Sequence, residues 1–247
     1  MNISVDLNCD LGEGMTNDAA IMPYISSANI ACGYHAGNEI IMQKTIDLAL
    51  NNNVKIGAHP SFPDRQNFGR TNMNFSSNEV CDMVKRQIEL LSNIAAKNNT
   101  YLHHVKPHGA LYNMASKDEN LSVAICKAIV ETNLTLQVYA QSGSALIKAA
   151  VAMNLKTCNE VFADRTYQKD GTLTPRADNN ALLINEDEVV IQVLQIVQKQ
   201  TVMANGEEIY VKADTICVHG DGEHALEFIK RIHEALQLKG IQIQPIL

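Results

Sequence analysis

The chain has 247 residues, of which 46% are hydrophobic and 19% are charged, so it has a globular composition and can bury a substantial core. Its net charge of −7, with basic residues scattered along the chain, argues against nucleic acid as a main partner. No apolar stretch approaches the ~20 residues that span a bilayer. No basic and apolar leader precedes the first strand-like stretch, which predicts a cytoplasmic protein without a membrane partner. The six cysteines contain no C-x-x-C pair, so we expect free and mostly buried thiols.

Short β-branched stretches alternate with longer segments of helical period along the chain. The predicted strands are 3–7, 28–32, 54–57, 101–105, 134–139, 157–162 and 215–218. The predicted helices include 79–98, a segment that begins near Ser116, 186–200 and 223–238. Strands that alternate with helices predict an α/β fold with a parallel sheet, closed into a barrel or open. No linker divides the chain, so we expect a single domain over 1–247.

Local signals mark several element ends. The patterns Ser76-x-x-Glu79 and Ser116-x-x-Glu119 are typical of capping boxes at helix starts. An Asn205-Gly206 dipeptide predicts a type I′ hairpin inserted within 201–211.

Polar residues follow the ends of six predicted strands, and five of the eight histidines lie there. These five are His35, His59, His104, His108 and His219. In parallel sheets and barrels the loops after the strands meet at one face, so we expect one shared site. A histidine beside a glycine in one tight turn is often only structural, but recurrence at six strand ends favours a site.

The segment His104-Val105-Lys106-Pro107-His108 is the most informative of these strand ends. The spacing of His104 and His108 suits a metal-binding helix, but Pro107 would disrupt a helix interior. In an extended chain His104, Lys106 and His108 fall on one face. Two imidazoles and an ammonium suit proton transfer and anion binding, and we expect a lowered pKa for Lys106. His103 would point the other way and is expected to be structural.

Other charged residues extend the predicted site. Asp10, Glu13 and Asp221 offer carboxylates for general base chemistry or metal ligation. Arg165 and Arg176 supply positive charge for a carboxylate or a phosphate. The chain has no G-x-x-x-x-G-K-[ST] loop and no strand–GxGxxG–helix unit, so a nucleotide would not be held by a P-loop.

Six longer motifs cover much of the chain. They are DLNCDLGE at 6–13, SANIACGYHAG at 27–37, GAHP at 57–60, HVKPHGALYN at 104–113, EVFADR at 160–165 and ICVHGD at 216–221. With these motifs the sequence resembles the LamB/YcsF family. The resemblance implies an irregular seven-stranded (β/α) barrel of the glycoside hydrolase/deacetylase type. It also implies the A subunit of an ATP-hydrolysing 5-oxoprolinase, which converts 5-oxo-L-proline to L-glutamate with ATP and Mg²⁺ and with B and C subunits as partners.

Two positions depart from the family pattern. Asn38 stands where Asp generally follows His-Ala-Gly, and Thr71 stands where a second Arg is common. We therefore assign no catalytic base at 38, and Arg70 is given a binding role only.

The resemblance and the strand-end pattern together assign roles to individual residues. The expected catalytic residues are Asp10, His35, His59, Lys106, His108 and Asp221. The expected substrate- or phosphate-binding residues are Glu13, Arg70, Asp164, Arg165, Arg176 and His219.

Two alternative functions stay open from the sequence. One is a metal-dependent C–N hydrolase of the deacetylase kind, in which a divalent ion lowers the pKa of bound water. Its candidate metal ligands are Asp10, His59, His104 and His108. The other is a substrate-binding subunit without chemistry of its own.

Overall fold

The structure is a computed structural model that describes residues 3–176, 178–218 and 225–246. The strands are β1 (Ser4–Leu11), β2 (Ser27–Ala31), β3 (Lys55–His59), β4 (His104–Val105), β5 (Gln137–Gln141), β6 (Thr157–Phe162), β7 (Thr201–Ala204), β8 (Glu207–Tyr210), β9 (Thr215–Val218) and β10 (Gln242–Ile243). The α-helices are α1 (Asp18–Ile21), α2 (Glu39–Asn51), α3 (Ser77–Lys97), α4 (Gly109–Ala115), α5 (Glu119–Thr132), α6 (Ala145–Ala152), α7 (Glu186–Lys199) and α8 (Ala225–Leu238). The predicted site residues His219 and Asp221 lie outside the described residues.

Seven parallel strands close into a barrel, in the order β1-β2-β3-β4-β5-β6-β9. Strand β9 closes the ring, because Thr215 is paired with Glu160 of β6 on one side and with Asp6 of β1 on the other. The predicted seven-stranded (β/α) barrel is confirmed. The barrel is irregular, since β4 has two residues and β10 pairs with the start of β1 rather than joining the ring.

Strand β1 lines the barrel with polar side chains and packs its other face on the helices. Its residues alternate, and the hydrophobic ones belong to the buried core. The polar ones, Asp6, Asn8 and Asp10, form hydrogen bonds with side chains on or directly after other barrel strands. The predicted strand 3–7 was too short, because a strand with a polar inner face lacks the continuous apolar stretch on which that prediction relied.

The inserted hairpin is confirmed. Strands β7 and β8 pair antiparallel around Asn205 and Gly206. Both turn residues have positive φ, 48° and 85°, as a type I′ turn requires.

One of the two predicted capping boxes is present. At the start of α3, the Ser76 side chain accepts from the Glu79 backbone N–H and the Glu79 side chain accepts from the Ser76 backbone N–H. The box predicted at Ser116 is wrong. Helix α4 ends there, and the Asp118 carboxylate caps α5 instead by accepting from the Leu121 N–H at 3.0 Å.

All six cysteines are free and buried, as the sequence predicted. Among the described residues, no helix combines the length and apolarity needed to cross a bilayer.

Candidate active site

A cavity of about 560 Å³ opens at the carboxyl ends of the barrel strands. It is lined by residues at or after the ends of β1, β3, β4, β5 and β6. Those used below are Asp10, Glu13, His59, Phe68, Arg70, Lys106, His108, Arg165 and Arg176. The size suits a small-molecule ligand. The structure therefore brings together most of the side chains that the strand-end pattern singled out.

Lys106 is buried inside the barrel between two carboxylates. Its Nζ lies 2.8 Å from Asp10 Oδ1 and 2.8 Å from Glu160 Oε1, and it donates to Cys217 Sγ at 3.0 Å. Burial disfavours the ammonium, but Asp10, Cys217 and Glu160 outweigh burial and raise the pKa of Lys106 well above its usual range. The expected lowering of this pKa is wrong, because a single sequence segment cannot show which carboxylates other strands deliver.

Asn8 and Asn29 form a buried hydrogen-bond network around the carboxylates that contact Lys106. Asn8 donates to Glu160 at 3.0 Å and to Thr215 at 2.7 Å. Asn29 donates to Asn8 at 2.7 Å and to Asp10 at 2.8 Å. These bonds hold the carboxylates that face Lys106. Asn8, Asn29 and Glu160 were not predicted as site residues from the sequence. The alternation of polar and apolar residues along β1 is the signal that could have found the first.

His104 belongs to this network. Its Nε2 lies 2.7 Å from Asn29 Oδ1, and its ring stacks on Tyr139 at 4.0 Å between centroids. Burial lowers the pKa of His104 well below its usual range, so the ring is neutral at pH 7. The His104 ring packs against Gly57. A side chain at position 57 would clash with it, because a Cβ there would lie 2.1 Å from His104 Nε2. His103 faces the other way, toward the Ile246 carbonyl at 2.9 Å.

Three other histidines converge on Glu13. His35 Nε2 lies 3.1 Å from Glu13 Oε1, His108 Nδ1 lies 3.4 Å from it and His59 Nε2 lies 3.9 Å from it. His59 Nε2 and His108 Nδ1 are 2.9 Å apart. The four side chains are defined here as the Glu13–histidine cluster: Glu13, His35, His59 and His108. His104 lies outside this cluster, and Asp10 lies beside it, with Oδ2 3.5 Å from His59 Nε2.

His35 and His108 are buried, and burial favours the neutral form of each ring. It lowers the pKa of His108 to about 3, with a further lowering from His59. Burial, followed by His108 and His59, lowers the pKa of His35 below that of a free imidazole. Both rings are therefore neutral at pH 7 and offer a lone pair each.

Close backbone packing positions the His108 end of the cluster. Gly109 has φ +55°, and a Cβ there would lie 2.4 Å from the Gly69 carbonyl oxygen. That carbonyl accepts from the Ala110 N–H at 2.9 Å. Only glycine fits at position 109, where the chain turns from the extended strand end into α4.

The two positions that depart from the family pattern have structural contacts. Asn38 caps α2 by accepting from the Ile41 N–H at 3.0 Å. The Thr71 N–H donates to Asp64 at 2.9 Å, which fastens the loop that carries Arg70.

Arginines also line the cavity. Arg165 is 4% exposed and donates to the Thr174 and Ala181 carbonyls. Burial and the neighbouring Arg176 lower the pKa of Arg165 to about 10, which leaves it cationic at pH 7. Arg176 is exposed, and the Arg70 guanidinium lies 5.0 Å from the centre of the Phe68 ring. Asp164 is buried beside Arg165 and is not among the lining residues of the cavity within the described chain.

The fold and the position of the site define a class of protein. The chain is a (β/α) barrel of the glycoside hydrolase/deacetylase type with a polar cavity at the strand ends. A family 4 carbohydrate esterase from Streptomyces lividans matches with a TM-score of 0.53 and 14% identity over 98% of this chain and 92% of that chain. At that identity the likeness shows the fold alone.

The sequence relatives are more specific. The LamB/YcsF family model matches residues 5–247, and the chain belongs to that family. The A subunit of 5-oxoprolinase from Bacillus cereus (strain B4264) is 51% identical, covering 97% of this chain and 98% of its own length. The one from Geobacillus thermodenitrificans is 49% identical over 98% of this chain and 96% of its own length. The structure of a lactam utilization protein from Thermus thermophilus matches with a TM-score of 0.94 and 35% identity, covering 99% of this chain and 100% of that chain.

Proposed function

We propose that this chain works as the A subunit of an ATP-dependent 5-oxoprolinase and opens the lactam ring of 5-oxo-L-proline to give L-glutamate. The names of its near-full-length relatives support the reaction class. One observation of the structure carries the proposal. One cavity is lined by cationic arginines and by carboxylates and imidazoles.

The arginines of the cavity suit an anionic substrate. 5-Oxoproline is a small anion with a carboxylate and a lactam. Arg176 is exposed and lines the cavity, and Arg70 lines it as well. A guanidinium binds a carboxylate with two parallel hydrogen bonds, so Arg176 is assigned to the substrate carboxylate or to a phosphoryl group. Arg165 already donates to two carbonyls and fixes the loop around Thr174.

The carboxylates and imidazoles of the cavity suit the chemistry that opening a lactam requires. Amide resonance makes the ring carbonyl a poor electrophile, and phosphorylation of its oxygen by ATP removes that resonance. Water then adds to the carbon, the C–N bond breaks, and the ring nitrogen takes up a proton. The acyl phosphate that results is hydrolysed to glutamate and inorganic phosphate.

The residues near the predicted reaction centre have distinct tasks. Asp10 is assigned to orient and deprotonate the attacking water, and His59 Nε2 lies 3.5 Å from its Oδ2. Lys106 is held by two carboxylates, so its task is to fix Asp10 and to add positive charge beneath the substrate.

Partner subunits and the co-substrate belong to the same proposal. ATP with Mg²⁺ is the expected co-substrate, and the B and C subunits are the expected partners. A cytoplasmic location is also proposed, and six unpaired thiols support it because disulfides form in oxidising compartments.

The test is a reconstituted assay with isotope-labelled 5-oxoproline. We expect labelled glutamate only when this chain, ATP and the B and C subunits are all present. Arg176→Gln should raise KM, because the substrate anion loses a partner. Arg231→Gln is the matched control, since Arg231 pairs with Glu186 and Asp187 on the surface. No glutamate from the complete mixture, or an unchanged KM for Arg176→Gln, would contradict the assignment.

A further inference from the structure

The Glu13–histidine cluster has a hydrogen-bonding pattern that fixes the protonation of its rings. A carbonyl oxygen only accepts hydrogen bonds, so a ring nitrogen that contacts one carries the proton. His59 Nδ1 lies 2.7 Å from the Lys106 carbonyl oxygen, and His108 Nε2 lies 2.9 Å from the Phe68 carbonyl oxygen. In its neutral form each ring therefore directs its unprotonated nitrogen into the cluster.

Those two unprotonated nitrogens face each other. They are His59 Nε2 and His108 Nδ1, and they are 2.9 Å apart. When both rings are neutral and both carbonyl bonds are made, no proton lies between these nitrogens and their lone pairs repel each other. A cation at this point, either a proton or a metal ion, removes the repulsion.

His35 repeats the pattern. The Ser61 hydroxyl donates to the Phe62 carbonyl at 3.0 Å, so it accepts from His35 Nδ1 at 2.9 Å. The His35 Nε2 lone pair then faces the Glu13 carboxylate oxygen at 3.1 Å. His35 Nε2 and the Glu13 carboxylate oxygen thus lie next to the other two nitrogens, with the His35 ring stacked on that of His108 at 3.8 Å between centroids.

We propose that Glu13, His35, His59 and His108 form a binding site for a divalent transition-metal ion. Their donor atoms, Glu13 Oε1, His35 Nε2, His59 Nε2 and His108 Nδ1, all lie within 4.8 Å of one another. A tetrahedral site with bonds of about 2.0–2.2 Å has donor atoms about 3.3–3.6 Å apart. The contacts of 2.9, 3.1, 3.4 and 3.9 Å described above bracket that separation.

The ring nitrogens that face away from the proposed metal position have the contacts that are typical of metal-binding histidines. Histidines that bind metals donate their other N–H to a carbonyl, a carboxylate or a similar group, which fixes the tautomer. All three rings of the cluster do so, to Lys106, Ser61 and Phe68. His104 has no place in this ligand set, because its Nε2 is bonded to Asn29.

The donor set selects the kind of metal. Three imidazole nitrogens and one carboxylate oxygen suit Zn²⁺, Co²⁺ or Fe²⁺, whereas Mg²⁺ prefers oxygen ligands. The ion is therefore distinct from the Mg²⁺ that travels with ATP. When bound, such an ion polarises a carbonyl or lowers the pKa of a water molecule, beside Asp10 and the cavity. The inference rests on the cluster geometry and holds whether or not the lactam assignment is correct.

The test uses the full-length chain purified without a histidine tag, stripped with a chelator and titrated with Co²⁺ in the absence of ATP. Metal content per chain and the visible absorption of Co²⁺ are the readouts, and neither depends on activity. We expect one ion per chain and no displacement by equimolar Mg²⁺. His233→Gln is the matched control, because His233 contacts the Tyr24 carbonyl in a different part of the protein.

Three variants probe the ligand set. Ser61→Ala should weaken Co²⁺ binding by about 10- to 100-fold, as loss of an outer partner does. Glu13→Gln and His108→Ala should weaken it further, and Glu13→Gln keeps the shape of the side chain if His108→Ala fails to fold. Absence of a stoichiometric ion in the wild type, equal affinity in Glu13→Gln and wild type, or displacement by Mg²⁺ would overturn the proposal. Glutamate release without any bound metal would leave the lactam assignment standing while this one fails.

Discussion

Replacement of Lys106 by methionine tests whether the buried ammonium holds the barrel interior together. Lys106→Met removes the charge and shortens the unbranched side chain by one atom. The Lys106 side chain is 3% exposed, and those of Asp10 and Glu160 are 8% and 0% exposed. The substitution therefore leaves two buried carboxylates near each other without their shared cation.

The expected loss of stability is large. Removal of one partner of a buried ion pair costs about 3–5 kcal/mol, because the remaining charge stays buried without compensation. For a chain of this size each kcal/mol shifts Tm by about 2–4 °C, so Tm should fall by about 6–20 °C.

The assay is urea denaturation of wild type, Lys106→Met, Glu160→Gln and the double variant. Glu160→Gln removes one of the two excess negative charges, so the double variant should be more stable than the sum of the single effects predicts, by about 0.5–3 kcal/mol. A Lys106→Met variant within about 0.5 kcal/mol of wild type, the range of ordinary surface substitutions, would refute the reasoning.

Two further predictions concern His104. Gly57→Ala puts a methyl carbon 2.1 Å from His104 Nε2, so overpacking should destabilise the fold by about 1–3 kcal/mol; an unchanged urea midpoint would contradict this. The second concerns pH. Burial holds the pKa of His104 well below its usual 6.5, so below that pH the unfolded chain binds a proton that the folded chain refuses. Stability should fall as pH drops below 6.5, and His104→Gln should reduce that slope by up to about 1.4 kcal/mol per pH unit. Parallel stability curves for the two proteins would show that His104 does not contribute.

The barrel and the location of its site follow from local features of the sequence. The alternation of strands and helices predicted seven strands in a parallel sheet, and Asn205-Gly206 predicted the hairpin, because the period of hydrophobic residues and the turn chemistry are local properties. The strand-end histidines His35, His59 and His108 were found in the same way. Closure of the sheet did not follow from these patterns and came only from the family resemblance.

Tertiary structure decided which side chains meet. Lys106 was expected to have a lowered pKa, but Asp10 and Glu160 come from strands far away in the sequence and reverse that shift. His104 and His108 were grouped by spacing, yet the barrel sends His104 to Asn29 and His108 to Glu13. The sequence by itself determined the elements and the end of the barrel where polar groups gather. The partners of each charge were decided by closure of the ring, because electrostatic and metal-binding properties depend on distances of a few ångströms between residues on different strands.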